Sequence, residues 1–395
     1  MTVERPAGWL GTPSGASWPG PGTLHGDDPN PFVRFRHLLW AHGAALGNGM
    51  DDDAYVAMVR RLDDAVAEVD GAGFATTPLR PHPDLAAAVG VGSLLAKDET
   101  GNVSGTHKAR HLFGLALHLE ATGVPMDTPL AIASCGNAAL GAAVVARAAG
   151  RPLVVHVPPW ADPTVLDRLA DLGADLRTCE RRAGEDGDPC VHRARQLVAE
   201  GAVAFTCQGT DNLLTLDGGR TLGLELAEQL AEQLVDAADL YVQVGGGALA
   251  SSCVQALGDA VELGVLPRRP RLLTVQTEGC APLRRAFERG VESGDPFADV
   301  NMWPWNEPSS LATGILDDVV YDWQPLVATM LEDGTQPLVA TEAEIAEAHR
   351  LVRAHTDVPA DHTGTAGVAG MLAARREDAL DATRAAVVLL TGVER

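Results

Sequence analysis

Lysine is nearly missing from this chain. Of its 30 basic residues, 28 are arginine and only two are lysine, Lys97 and Lys108, so chemistry that needs a side-chain amine has two possible addresses. Positive charge is scarce as well. Asp and Glu number 53, giving a net charge of -23, which repels phosphate backbones and anionic membrane surfaces and argues against a nucleic-acid or membrane partner. Long apolar runs are absent too: a membrane span needs roughly 18 or more predominantly apolar residues. The uncharged stretches Thr128 to Ala146 and Leu240 to Gly258 are interrupted by Gly, Ser, Asn or Gln. Cysteine does not form patterns. Cys135, Cys179, Cys190, Cys207, Cys253 and Cys280 are scattered, without a CxxC pair or a Cys/His cluster at zinc spacing, so neither a disulfide framework nor a structural metal is expected. The first 25 residues hold no apolar stretch of signal-peptide kind. The expectation is a cytoplasmic protein with reduced thiols and no bound metal.

What is present is a length of 395 residues with 46% hydrophobic content, enough for two or three domains of roughly 100 to 200 residues with real cores. Residues 1 to 30 are rich in Gly, Pro, Ser and Trp and read as an extended arm or a tail that contacts a partner. A helical pattern starts at Pro31. Asp51 to Asp53 caps a helix running through Met58, Leu62, Val66 and Val69. From about Thr77, short apolar runs alternate with amphipathic stretches. Strands are expected at Ser93 to Ala96, Leu130 to Ala133, Leu153 to Val157, Val203 to Thr206, Leu240 to Val244, Arg271 to Gln276 and Ala386 to Leu390. Helices fill the gaps, among them Ala138 to Ala149 and Thr221 to Leu234, and Arg181 to Asp188 reads as a loop. The strand runs are continuous rather than alternating, as strands covered on both faces require. The fold class is therefore α/β with doubly wound, parallel-dominated sheets, and chemistry is to be sought where strands end and helices begin.

Four such turns stand out. The first, Lys97 to Arg110, is a Gly-containing loop after a strand that sets Lys108 at a helix start, where the dipole disfavours an ammonium and the neutral amine needed for imine formation gains. A solvated lysine is the bland alternative. The second, Ser134-Cys135-Gly136-Asn137, offers small residues and exposed amides that hold a carboxylate or phosphate, or else is simply a well-capped helix. The third, Gly245-Gly246-Gly247-Ala248-Leu249, places three glycines between a buried strand and a helix, a nest for a phosphate. It also fits the Gly-x-Gly-x-x-Ala dinucleotide fingerprint, but no acidic residue lies cleanly about 20 positions on, which disfavours a nicotinamide cofactor. The fourth is Thr391, a hydroxyl at a strand end able to meet a ring nitrogen, where the alternative is a strand that merely stops.

An imine-forming lysine, a phosphate nest, an anion-holding turn and a strand-end hydroxyl are together the parts that hold pyridoxal 5'-phosphate and an amino acid. Here the chain resembles a family. Thr77-Pro78-Leu79, Lys97-Asp98-Glu99, Ser104 to Arg110, Ser134 to Asn137, Gly245 to Leu249, Glu278 to Pro282 and Leu389 to Gly392 follow the order of the fold type II, tryptophan-synthase-β-like, pyridoxal-phosphate enzymes, with threonine synthase and threonine dehydratase the nearest members. The resemblance implies a two-domain fold: residues 31-104 and 220-395 as a large cofactor-binding domain and 105-219 as a smaller substrate-side domain, behind the arm 1-30. It implies a Schiff base at Lys108, which then moves the α proton. Asn137 meets the cofactor's 3'-oxygen, and Ser134, Cys135, Gly136, Asn137 and Ala138 grip the substrate carboxylate. Gly245, Gly246, Gly247, Ala248 and Leu249 cradle the phosphate, and Thr391 faces the pyridine nitrogen. A neutral hydroxyl leaves that nitrogen unprotonated and favours elimination over transamination.

The implied activity is a lyase-type β-elimination or β/γ-replacement on a small amino acid, by a homodimer. A catalytically silent pyridoxal-phosphate-binding relative and, further off, a nicotinamide-dependent dehydrogenase are the alternatives. Departures bear on the substrate: threonine synthases carry Phe-Lys-Asp-Arg where this chain has His107-Lys108-Ala109-Arg110, and Cys135 and Ala138 replace hydroxyl residues. His107 adjoins the lysine and is a candidate for proton transfer, although sequence neighbours on a helix do not face each other. Glu278 is a candidate for contact with the substrate amine or the cofactor ring, and otherwise caps a helix. Met302 to Ser310 reads as a packed wall or a lid, and Asp361 to Gly367 as support for the site.

Overall fold

The computed structural model describes residues 6–20, 23–185, 187–235 and 237–395; Met1 to Arg5, Pro21 and Gly22 of the expected arm, Asp186 of the expected loop, and Asp236 lie outside the described residues. Among the described residues ten strands run in chain order: β1 (Leu79–Pro81), β2 (Ser93–Asp98), β3 (Leu130–Ala133), β4 (Leu153–Val157), β5 (Asp175–Thr178), β6 (Val203–Ala204), β7 (Ala238–Gln243), β8 (Arg271–Thr277), β9 (Leu338–Ala340) and β10 (Ala385–Leu390). Every residue of β4 and of β7 is buried, which is why these segments read as unbroken apolar runs: helices cover both faces of a parallel sheet.

The chain divides into two compact units. One gathers the segment through Trp9, Thr77–Gly101 and Leu222–Arg395. Its six-stranded sheet has the order β1-β2-β10-β7-β8-β9, parallel except for β1. β1 ends in Pro81, which an edge tolerates because no ladder donor is needed there. From β7 the chain steps outward to β8 and β9, while β10 returns on its other side, so the strand order reverses between β7 and β10. The turns leaving β7 and β10 therefore flank a switch point, where ligands bind in such sheets. On one face lies a core of Leu273, Val275, Ile345, Val352, Val368, Met371 and Val388.

The second unit comprises Leu10–Thr76 and Asn102–Thr221 around the all-parallel sheet β5-β4-β3-β6. Residues 31 to 76, which the sequence reading assigns to the larger domain, belong here. The cause is packing: Phe32, Phe74 and Phe113 meet with ring centroids 4.6 to 5.2 Å apart, and Tyr55, Val59, Leu62 and Val66 join the same core as Leu112, Ile132 and Val145. The helix carrying them, Asp52–Asp70, starts where Asp51 accepts from the Ala54 amide and stops at Gly71 with φ +88°, the left-handed conformation that suits glycine. The arm is packed too. Trp18 meets Phe35 edge-on at 5.7 Å, and the Gly11 carbonyl accepts from Trp40 Nε1 and Arg220 Nη1 at 3.1 and 3.0 Å.

Candidate active site

In the second unit, Lys108 is the first residue of the helix Lys108–Ala121. The turn before it is held by its own side chains. The Ser104 amide donates to Asp70 Oδ2 at 2.6 Å with Ser104 at φ +59°, Asn102 Nδ2 donates to the Thr106 carbonyl at 3.2 Å, and the Lys108 amide reaches Thr106 Oγ1 at 3.3 Å. Lys108 is half-buried, and among the described residues its ammonium has no ion-pair partner within 4 Å. One turn along the same helix, His111 donates from Nδ1 to the Thr215 carbonyl at 2.9 Å; burial first, then Lys108 and Arg110, push it down to about 4.

The helix Asn137–Ala148 packs against this one. A Cβ on Gly141 would stand 3.2 Å from the Ala109 amide nitrogen and 3.3 Å from its Cα, so glycine there lets the two helices close up one turn from Asn137 and beside Lys108. Gly141 was not anticipated, although a lone glycine inside an Ala/Val helix is the signal that marks such a close approach. The turn before Asn137 is half-buried, with the Gly136 amide 3.4 Å from Ser134 Oγ. Burial pushes the Cys135 thiol up. Lysine and asparagine turn thus share one unit.

In the first unit, Gly245 to Gly247 leave β7 and open the helix Ala248–Glu262. Among the described residues, none of these three amides donates to a backbone carbonyl. Side chains on the glycines are excluded by the segment 314 to 322: a Cβ on Gly245 would run into the Asp317 carboxylate, one on Gly246 would stand 3.1 Å from the Tyr321 ring, and Gly247 has φ +97°. Three glycines are thus demanded by packing as well as by any phosphate. At the neighbouring strand end, Thr391 is 2% exposed and its Oγ1 accepts from Gln243 Nε2 at 2.6 Å. Its own proton has no acceptor among the described residues. Asp361 to Thr365 brace this corner: the Asp361 amide donates to the Gly392 carbonyl at 2.8 Å, and its Oδ1 accepts from the Gly364 amide at 2.6 Å.

Lys97 is in a different position from Lys108. It is wholly buried and donates to Glu225 Oε2 and the Thr77 carbonyl at 2.6 Å each and to Gln229 Oε1 at 2.9 Å. Thr77 in turn donates to Glu99 Oε1 at 2.5 Å.

The remaining sequence candidates have contacts of their own. His107 is buried, with its ring 6.0 Å from that of His111. Glu278 is exposed and accepts from the Glu342 amide at 2.9 Å, capping the helix Glu342–His355. Trp303 lies under Arg285, whose guanidinium is 3.8 Å from the ring centroid. One cluster of histidine and aspartate was not anticipated: a ring nitrogen each of His37 and His42 and a carboxylate oxygen of Asp52 lie within 4.8 Å of one another. Arg36 takes both Asp52 oxygens, at 2.6 and 2.8 Å, and holds that carboxyl down at about 2.

The family model for pyridoxal-phosphate dependent enzymes matches residues 72–392. The chain belongs to this family. The cofactor of the family is therefore pyridoxal phosphate, and the dinucleotide alternative falls away. The chain is 28% identical over 320 residues to threonine synthase from Synechocystis, covering 80% of this chain and 75% of that protein. It is 26% identical over 285 residues to L-threonine ammonia-lyase from Thermotoga maritima, covering 71% and 63%. Diaminopropionate ammonia lyase from Escherichia coli, solved with an aminoacrylate-PLP azomethine intermediate, shares the fold with a TM-score of 0.65 at 19% identity, covering 86% and 89%. As a member of the pyridoxal-phosphate dependent family, the chain has a parallel-dominated α/β fold of type II. Among the described residues no helix is long and apolar enough to cross a membrane.

Proposed function

We propose that this protein carries out elimination or replacement at the β or γ carbon of a small amino acid, in the manner of the threonine synthases and threonine dehydratases, with Lys108 as the catalytic lysine. Bound pyridoxal phosphate supplies the electron sink that makes the α proton of an amino acid removable. The chain's residues do the rest. Lys108 would hold the cofactor through Nζ, and the same atom would carry the α proton of the amino acid. Ser134 to Ala138 would bind the substrate carboxylate through turn amides at the start of a helix, with Asn137 available to the cofactor's ring oxygen. Gly245 to Leu249 would hold the phosphate, and Thr391 would offer its hydroxyl to the ring nitrogen. A neutral donor there keeps the ring a weaker sink, which suits loss of a leaving group.

The observation that carries this reading is the contrast between the two lysines. A half-buried amine with no ion-pair partner among the described residues stands at a helix start beside a half-buried turn of small residues, while the other lysine is locked in place. Two features support the cofactor's fit: the buried Thr391 hydroxyl with a proton to give, and the three glycine amides after β7, which donate to no backbone carbonyl among the described residues.

The reading extends to a homodimer in the cytoplasm, which gel filtration and cell fractionation would check. The direct test is a screen of serine, threonine, phosphohomoserine and diaminopropionate for keto-acid, ammonia or phosphate release. A yellow protein that loses its visible band in Lys108→Ala and turns over one of these is the expected result. A protein that binds the cofactor through Lys108 but acts on no amino acid would show the silent relative instead.

A further inference from the structure

Gln243 is a buried amide at the carboxyl end of β7, 4% exposed. It lies within the same unit as the residues it touches. Nε2 stands 2.6 Å from Thr391 Oγ1, 3.1 Å from the Leu389 carbonyl and 3.4 Å from the Gly364 carbonyl. Oε1 is buried, with no hydrogen-bond partner among the described residues.

The two carbonyls decide which way this amide points. With nitrogen facing them, two N–H bonds serve Thr391 and the Leu389 and Gly364 oxygens, and the only loss is one unsatisfied acceptor. The reverse orientation would set Oε1 against two carbonyl oxygens and leave an NH2 group where no acceptor lies, which is the costlier arrangement because buried donors are rarely left unpaired. Nε2 must therefore donate to Thr391. A hydroxyl that accepts from one side and is otherwise enclosed has its proton left for whatever lies at the open side.

We propose that Gln243 is a positioning residue that fixes the Thr391 hydroxyl as a donor, so that this chain selects an unprotonated ring nitrogen in its cofactor. The proposal rests on the reading that Thr391 faces that nitrogen. A proton on both partners of one hydrogen bond would be unfavourable, so fixing the hydroxyl proton outward holds the ring's proton affinity down.

Gln243→Glu has the same shape and reverses the polarity. A carboxyl group carries at most one proton, which the Leu389 and Gly364 carbonyls claim, and so in either ionisation state Thr391 must donate to it. Its lone pair would then face the ring and favour the protonated form. Gln243→Met removes the donor without adding an acceptor and frees the hydroxyl to turn.

The measurement is the 15N chemical shift of the ring nitrogen in holoprotein reconstituted with ring-15N-labelled pyridoxal phosphate, with near-UV circular dichroism as a check on folding. Wild type is expected in the unprotonated range. Gln243→Glu should move far upfield, toward a pyridinium, and Gln243→Met should move partway. Should one variant fail to fold, the other decides. A shift unchanged in a folded Gln243 variant, while Thr391→Ala moves it, would overturn the role given to Gln243 and leave the Thr391 reading standing. A shift that Thr391→Ala does not move would instead remove the Thr391 reading, and this proposal with it.

Discussion

The two lysines of this chain are the same residue put to opposite uses. Lys97, on β2, is sealed from solvent, and its three protons are all spent on Glu225, Thr77 and Gln229. Lys108 is half-buried at a helix start, with no ion-pair partner among the described residues. An ammonium that is fully hydrogen-bonded to a buried carboxylate cannot give up its proton at neutral pH without leaving that charge uncompensated. Lys108 has no such carboxylate beside it among the described residues. In a chain that uses arginine nearly everywhere else, Lys97 serves as a compact point charge, and the proposed function asks of Lys108 a deprotonatable amine, which arginine cannot be.

The comparison breaks most readily at Lys108. Lys108→Ala is expected to abolish turnover and the visible band while changing the unfolding free energy by no more than about 0.5 kcal/mol, as for a substitution that removes no buried partner. Denaturant titration of the cofactor-free protein, beside the turnover assay, reads both. A large stability loss in this variant would place Lys108 among the structural residues and end the contrast.

Lys97→Met should do the reverse. It leaves Glu225 buried without its cation, with Glu99 joined to it through Thr77, and removing one partner of a buried pair costs about 3 to 5 kcal/mol. Urea unfolding of the cofactor-free protein should show the midpoint falling steeply. If this variant still folds, its Lys108 adduct with the cofactor should form as in wild type.

Acid should weaken the unit that holds Lys108, through His111. Its folded pKa is pushed to about 4 by burial, against about 6.5 when unfolded, so between these values the unfolded chain binds the extra proton. Stability contributed by the neutral ring is whole above about pH 6.5 and drains away as pH falls toward 4. The loss approaches roughly 3 kcal/mol from a shift of that size. His111→Gln should flatten the drop in thermal melting temperature between pH 6.5 and 4.5; an equal slope in both proteins would mean that other groups carry it.

Much of this was legible beforehand, and the parts that were not share a cause. Strands such as β4 and β7 announce themselves because both faces are covered. By contrast β5 carries Asp175 and Arg177 on an exposed edge, β9 has only the three residues Leu338 to Ala340 and β1 ends in proline, so none shows an apolar run as long as those of β4 and β7. Lys108, the asparagine turn and the glycine corner were candidates from sequence because each lies where a strand gives way to a helix, which is a local pattern. Thr77 with Glu225 and Gln243 with Thr391 are each separated by 148 residues, and only the folded sheet brings them together. A single amide inside the run Leu240 to Val244 was the available hint, since a buried polar side chain in a strand must have a partner. The placing of residues 31 to 76 was misread for the same reason: the Phe32, Phe74 and Phe113 cluster joins segments far apart in sequence.

The smallest expected effect sharpens the contrast most, because it touches the surroundings of one lysine only. In Gly141→Ala the added methyl would sit 3.2 to 3.3 Å from the Ala109 backbone, closer than a methyl group comfortably packs, so the two helices must part by a few tenths of an ångström. Overpacking of this kind costs about 1 kcal/mol or somewhat more, offset in part by alanine's better helix propensity. The diagnostic reading is not stability but where the loss falls. If the close approach of these helices sets Lys108 against the asparagine turn, KM for the amino acid should rise and the visible band should shift, whereas Gly258→Ala, in the helix after the glycine corner and with open space around its Cβ, should change neither. Equal kinetic behaviour of the two variants would mean that helix spacing beside Lys108 is a matter of packing alone.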